Sequence, residues 1–279
     1  MSTSNLTVTR SRMVRAAGFV AAVIGLPSIA AASLTSAPQV PEVTPSQLMS
    51  LGVVVAPHDP VTGACPRNMA HVGKSCVDKY EGSLVEILED GSEVPYSPYQ
   101  PPNGHKVRAV SRRGVAPQAH ISMVEAQRAC KASNKRLCHG GEWKTACQGP
   151  QKTRYPYGNE RQANACTDTN RTSPMMVLYS GERSARTMND PRANQMENTL
   201  ANTGAAEACT NDYGVHDMVG NIHEWTDDGS FRGGYYLDTK LNGEGCDYRT
   251  TAHAPAYYDY STGFRCCADE GTVPDGDES

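Results

Sequence analysis

The chain has 279 residues, with 26 Lys and Arg against 30 Asp and Glu and a formal net charge of −4. That balance offers no basic field to a polyanion, so no nucleic-acid partner is expected. Ten cysteines beside an aromatic content of only 6% point to a modest core reinforced by crosslinks. In chain order, Arg10, Arg12 and Arg15 come first. They precede an apolar stretch from Ala16 to Ala32 that Pro27 interrupts and that ends in Ala30-x-Ala32. This is the layout of a secretory signal peptide over residues 1–32, cleaved after Ala32. The competing reading, an uncleaved anchor, is disfavoured by the shortness of the stretch and by its proline. An exported protein, periplasmic or extracellular and without a membrane segment after cleavage, is the expectation. Residues 33–63 are rich in Pro, Ser, Thr, Ala and Val without periodicity and read as a linker. The domain is expected over 64–270, followed by an acidic tail over 271–279.

Within the domain, Glu81 to Ala119 alternates short apolar pieces with Gly and Pro, which disfavours long helices. Ser122, with Glu125 three residues on, forms a capping box and predicts a helix to about Ser133. A second helix is predicted from His139 or Gly140 to Gly149. Tyr155 to Ala206 is dominated by Asn, Thr, Ser and Arg and reads as irregular. Tyr213 to Trp225, YGVHDMVGNIHEW, is unusual for a plain core element. Asp217, Gly220, Asn221 and Glu224 interleave with Val215, Met218, Val219, Ile222 and Trp225. Buried carboxylates need partners, and a hard cation such as calcium is one; a tight turn with its acids facing water is the other reading. His216 and His223, seven residues apart, would face opposite sides of a strand, so no shared metal sphere is expected of them. The ten cysteines lie beyond the cleavage site, and an even number in an exported chain predicts a disulfide framework rather than a zinc site.

The run Tyr213 to Trp225, followed by FRGGYY and later by TGFRCC, resembles the GxYDMxGNxxEW signature of the sulfatase-modifying-factor family, the formylglycine-generating enzymes and their relatives. Ser122 to Gly149 resembles that family's helix, KRLP turn and second helix; Tyr155 to Asn159 (YPYGN) resembles its FPWGN element, and Cys76 to Glu81 its opening strand. The resemblance covers about Cys65 to Asp269. It implies an α+β, C-type-lectin-like fold with little regular secondary structure. It also implies bridges Cys130–Cys266 and Cys147–Cys246. Cys138 and Cys267 are additions beside those positions and are expected to join each other, which leaves Cys65–Cys76 and Cys166–Cys209 by elimination. A structural calcium is expected at Asp217 and Glu224 with the carbonyls of Gly220 and Ile222, and a second ion at Asn164 and Ala165.

The family's oxidases hold monovalent copper with two thiolates shortly after their GGS word, and soft ligands are what that ion requires. Here Asp238 stands at the first position, no cysteine lies between Thr239 and Gly245, and Cys246 matches the structural bridge. Copper is therefore not expected. Asp238, Asp247, Arg249 and His253 could line the corresponding groove, with Tyr257, Tyr258 and Tyr260 either in its wall or in the core. Two function classes follow. One is a non-catalytic or binding module with a peptide or small-molecule ligand in the groove beside Asp238. The other is an oxidative enzyme, of the formylglycine-generating or siderophore-maturation type, whose chemistry does not need the thiolate pair.

Overall fold

The computed structural model describes residues 65–272; the expected signal peptide, the linker and the tail from residue 273 lie outside the described residues. Its first strands are short and pair mostly with their neighbours in the chain. β1 (Met69–Val72) and β2 (Ser75–Asp78) form an antiparallel hairpin. β3 (Gly82–Ile87), between β4 (Glu93–Pro95) and β5 (Val107–Ser111), forms a separate three-stranded sheet.

The capping box opens α1 (Met123–Lys131): Ser122 Oγ accepts from Glu125 N–H at 3.3 Å, and Glu125 accepts from Ser122 N–H at 3.4 Å. Its buried face is Met123, Ala126, Ala129 and Cys130, the stripe a helical period requires. The helix stops two residues before Ser133, where Asn134 turns left-handed (φ +52°) and leads into β6 (Arg136–Leu137). α2 (Gly140–Gln148) buries Trp143, Ala146 and Cys147 and ends at Gly149.

Tyr155 to Ala206 is less irregular than its composition suggests. Pro174 starts α3 (Pro174–Tyr179), Ser184 caps α4 (Ala185–Met188), and a 3-10 turn follows at Pro191–Asn194. Each is too short for a hydrophobic period to register. Met175 and Ala193 nonetheless build a small core with Tyr236 and Tyr260.

The C-terminal third closes the fold. β7 (His223–Trp225) pairs in parallel with β10 (Thr262–Phe264) and antiparallel with β8 (Phe231–Arg232), which pairs with β9 (Arg249–Thr250). β11 (Cys266–Asp269) inserts between β2 and β6, so the two ends of the domain share one sheet. The architecture is α+β with little regular secondary structure. Five bridges hold it: Cys65–Cys76, Cys130–Cys266, Cys138–Cys267, Cys147–Cys246 and Cys166–Cys209. Cys138, just after β6, meets Cys267 on β11 with their Cα atoms 4.7 Å apart. No helix among the described residues is long and apolar enough to cross a membrane.

Candidate functional site

Most of the run Tyr213 to Trp225 is buried, and its odd residues have local reasons. Asp217 (φ +59°) and Asn221 (φ +55°) adopt the left-handed conformation that Asp and Asn tolerate best. A Cβ on Gly220 would stand 2.5 Å from the Thr167 carbonyl oxygen, so only glycine fits. Asn221 donates to Glu81 Oε2 (2.8 Å) and the Ala201 carbonyl (3.1 Å), and its Oδ1 accepts from Ala201 N–H (2.9 Å). Glu224 is fully engaged. Arg265, itself 0% exposed, donates to its Oε1 at 2.8 Å and to its Oε2 at 3.0 Å, and Trp143 Nε1–H donates to Oε2 at 2.6 Å. Arg265 also donates to the carbonyls of Asp78 and His216, both at 2.7 Å. His216 lies outside β7 and stacks on Tyr80.

Three carboxyls thus crowd one guanidinium. Burial first, and then Asp217 and Glu224, push the Glu81 carboxyl well above its usual range. Burial pushes Asp217 up to about 6, although Gly204 N–H donates to its Oδ2. Glu81 Oε1 is buried without a hydrogen-bond partner.

The residues expected to hold calcium do not fit that ion. Calcium takes 6–8 oxygens, roughly, and both oxygens of Glu224 already serve Arg265 and Trp143, which supply the positive charge and the donors. At the second expected position Asn164 is exposed and contributes its N–H to Thr169 Oγ1. The nearby carboxylate, Asp168, pairs with Arg161 at 2.9 Å. Among the described residues, no three acid, His or Cys side chains converge as metal ligands.

Asp238 sits in a turn that the paired glycines before it make possible. A Cβ on Gly234 (φ +74°) would lie 2.2 Å from the Asp238 carbonyl oxygen, and Tyr235 and Asp238 exchange backbone hydrogen bonds of 2.9 Å. The Asp238 carboxylate faces inward to the protein. Oδ1 accepts from Lys240 and Leu241 N–H, each at 2.9 Å, and Oδ2 accepts from the Tyr248 hydroxyl at 2.9 Å. Asn242 donates to the Tyr248 oxygen at 3.1 Å, and His223 Nε2 lies 3.3 Å from it. His223 Nδ1 is 3.3 Å from Ser261 Oγ, and its ring packs on Phe231 and Tyr235. Burial pushes His223 down to about 4, which leaves the imidazole neutral at ordinary pH. The other candidate residues go elsewhere: Asp247 to Lys144 (2.7 Å), Arg249 to Asp228 (3.4 Å) and His253 to a stack on Tyr257. They do not form one set with Asp238.

All ten cysteines are bridged, and Cys246 is joined to Cys147. The donor set at this place is a carboxylate, a tyrosine and a neutral histidine, so it does not fit a two-thiolate copper centre.

Beyond Tyr235 and Tyr257, a groove of about 470 Å³ opens between α4 and the loop before β10, lined by Arg183, Met188, Asn189, Tyr257 and Tyr258 together with Ala185 and Ala256. Tyr257 and Tyr258 were legible as groove candidates. Arg183 and Asn189 were not, because they belong to the segment that read as irregular; the only local signal is Ser184, whose Oγ accepts from Thr187 N–H to cap the short helix beside the groove.

The family described as the sulfatase-modifying factor enzyme 1-like domain matches residues 61–270. The chain belongs to this family. Its curated relatives include the inactive C-alpha-formylglycine-generating enzyme 2 of Bos taurus, 30% identical over 57% of this chain and 52% of the relative. The formylglycine-generating enzyme of Mus musculus is 29% identical over 43% of this chain and 29% of the relative. The chain therefore spans about half or less of the length of these relatives. Among solved structures, that of CarF aligns at 21% identity and a TM-score of 0.33, covering 48% of this chain and 47% of that one. A Major Tropism Determinant U1 variant aligns at 13% identity and a TM-score of 0.38, covering 77% of this chain and 55% of that one.

Proposed function

We propose that this family member is an exported, non-catalytic binding module that takes a small ligand or peptide in the groove lined by Arg183, Tyr257 and Tyr258. One observation carries the reading. Where the family's oxidases place their first copper thiolate, this chain has a carboxylate whose two oxygens are spent on Lys240, Leu241 and Tyr248, and the next cysteine along the chain is closed in the Cys147–Cys246 bridge. An aspartate held in this way is neither a soft ligand nor a nucleophile. The similarity to a relative named inactive supports the same reading. Five bridges with no free thiol are consistent with an oxidising compartment and so with export. Calcium has no part in the proposal: Arg265 pairs with Glu224, and the Asp217 carboxyl accepts from Gly204 N–H.

The test is an assay with a peptide containing Cys-x-Pro-x-Arg, cuprous copper and oxygen. The oxidised protein is expected to leave the peptide mass unchanged. Conversion of the cysteine to formylglycine would overturn the reading.

A further inference from the structure

The groove between α4 and the Ala256–Tyr258 loop has a specific polarity. Its wall groups are mostly satisfied by the protein itself. Asn189 Nδ2 donates to the carbonyls of Ala185 (3.0 Å) and Tyr258 (3.2 Å), and its Oδ1 lies 3.3 Å from His120 Nδ1. The Tyr257 hydroxyl donates to Asp259 Oδ2. Asp259 is buried and its Oδ1 accepts from Ser261 N–H and Oγ, each at 2.7 Å, so this acid is not presented to the groove. What remains is the Met188 thioether, two alanine methyls, two half-buried tyrosine rings and one cation, the exposed Arg183. Among the described residues no carboxylate pairs with Arg183; its neighbour is the Tyr235 hydroxyl.

The aromatic wall is held in place before any ligand arrives. His253 stacks on the Tyr257 ring at 3.9 Å between centroids and 20° between planes, while Asp259 anchors its hydroxyl. A fixed ring loses little freedom on binding. A cavity of about 470 Å³ lies within the range of small-molecule sites, roughly 300–1,000 Å³. A single guanidinium balances a single negative charge and matches the two oxygens of a carboxylate in a bidentate fork. A phosphate, with a charge nearer two at neutral pH, would be left undercompensated. Tyrosine faces and a thioether suit a flat aromatic body.

From these observations, and resting on the binding-module reading, we infer that the groove binds a small aromatic carboxylate, with Arg183 on the carboxylate and Tyr257, Tyr258 and Met188 against the ring. The test is titration calorimetry on the full oxidised chain with phenylacetate, its neutral analogue phenylacetamide, and acetate. Phenylacetate is expected to bind at least tenfold more tightly than either comparator. Arg183→Gln, an exposed substitution that should leave the melting temperature unchanged, is expected to remove that preference over phenylacetamide. Tyr258→Ala is expected to weaken both aromatic probes by a similar factor. Absence of phenylacetate binding, or equal binding by Arg183→Gln and the native chain, would overturn the inference. Neither outcome touches the non-catalytic reading, which the peptide assay decides separately: a chain that ignores phenylacetate and leaves the peptide unchanged keeps the one and loses the other.

Discussion

Glu224 and Arg265 show how a single residue decides between two readings of the same word. The sequence places acids inside an apolar run, and both a cation and a protein partner would satisfy them; the structure supplies Arg265, 41 residues further along the chain. No local spacing could have revealed that partner. The same cluster makes a pH prediction. The Asp217 carboxyl is raised from 3.8 to about 6 by burial, so between these values the folded state holds more protons than the unfolded one. Its contribution is therefore fully present below pH 3.8 and is lost as the pH rises through about 6. His223, pushed down to about 4, works the other way: its contribution is present above its unfolded value, roughly 6.5, and is lost as the pH falls through about 4. Asp217→Asn leaves His223 in place, keeps an acceptor for Gly204 N–H and suits the left-handed backbone. By urea denaturation the variant should be more stable than the native protein at pH 8, by on the order of 1–3 kcal/mol, and no more stable at pH 4. A variant that is less stable at pH 8, and whose deficit grows when calcium is added, would restore Asp217 as a charged calcium ligand.

At the level of elements, the turn from Gly233 to Asp238 positions the candidate site. Gly234→Ala meets both a left-handed φ and a backbone oxygen at 2.2 Å, and should cost about 2 kcal/mol or more in urea denaturation. Gly91→Ala, left-handed at φ +82° but with nothing within 4 Å of the added methyl, should cost only about 1 kcal/mol. Equal losses would mean that the close approach at Gly234 is not a constraint. The two main helices were legible because their signals are local: the Ser122 and Glu125 box, the apolar stripe of α1, and Gly149 at the end of α2. α3 and α4 were not, since six and four residues are too few to display a period. The groove depends on α4, which explains why Tyr257 and Tyr258 could be suspected from sequence while Arg183 could not. Asp238 was visible as a replacement, but its inward hydrogen bonds to Tyr248, Lys240 and Leu241 depend on the turn and on β9 being placed beside it.

On the scale of the whole molecule, the small sheets could not hold a fold of this size by pairing alone. The three longest bridged separations, 136, 129 and 99 residues, fall where chain-entropy models give about 4–5 kcal/mol per bridge. Two of them, Cys130–Cys266 and Cys138–Cys267, fasten β11 to α1 and to the turn after β6, while Cys147–Cys246 fastens α2 to the loop that follows Asp238. The last of these is also what removes the remaining sulfur from the candidate site. The framework that stabilises the fold thus leaves no thiolate for copper, and this link between architecture and chemistry is the central claim. Its most direct test is a competition titration of the oxidised protein with cuprous ion against a chromophoric chelator. The account predicts no stoichiometric copper, in the native chain and in Asp238→Asn alike. One cuprous ion held per native chain, and lost when Cys246 is replaced by Ser, would contradict it.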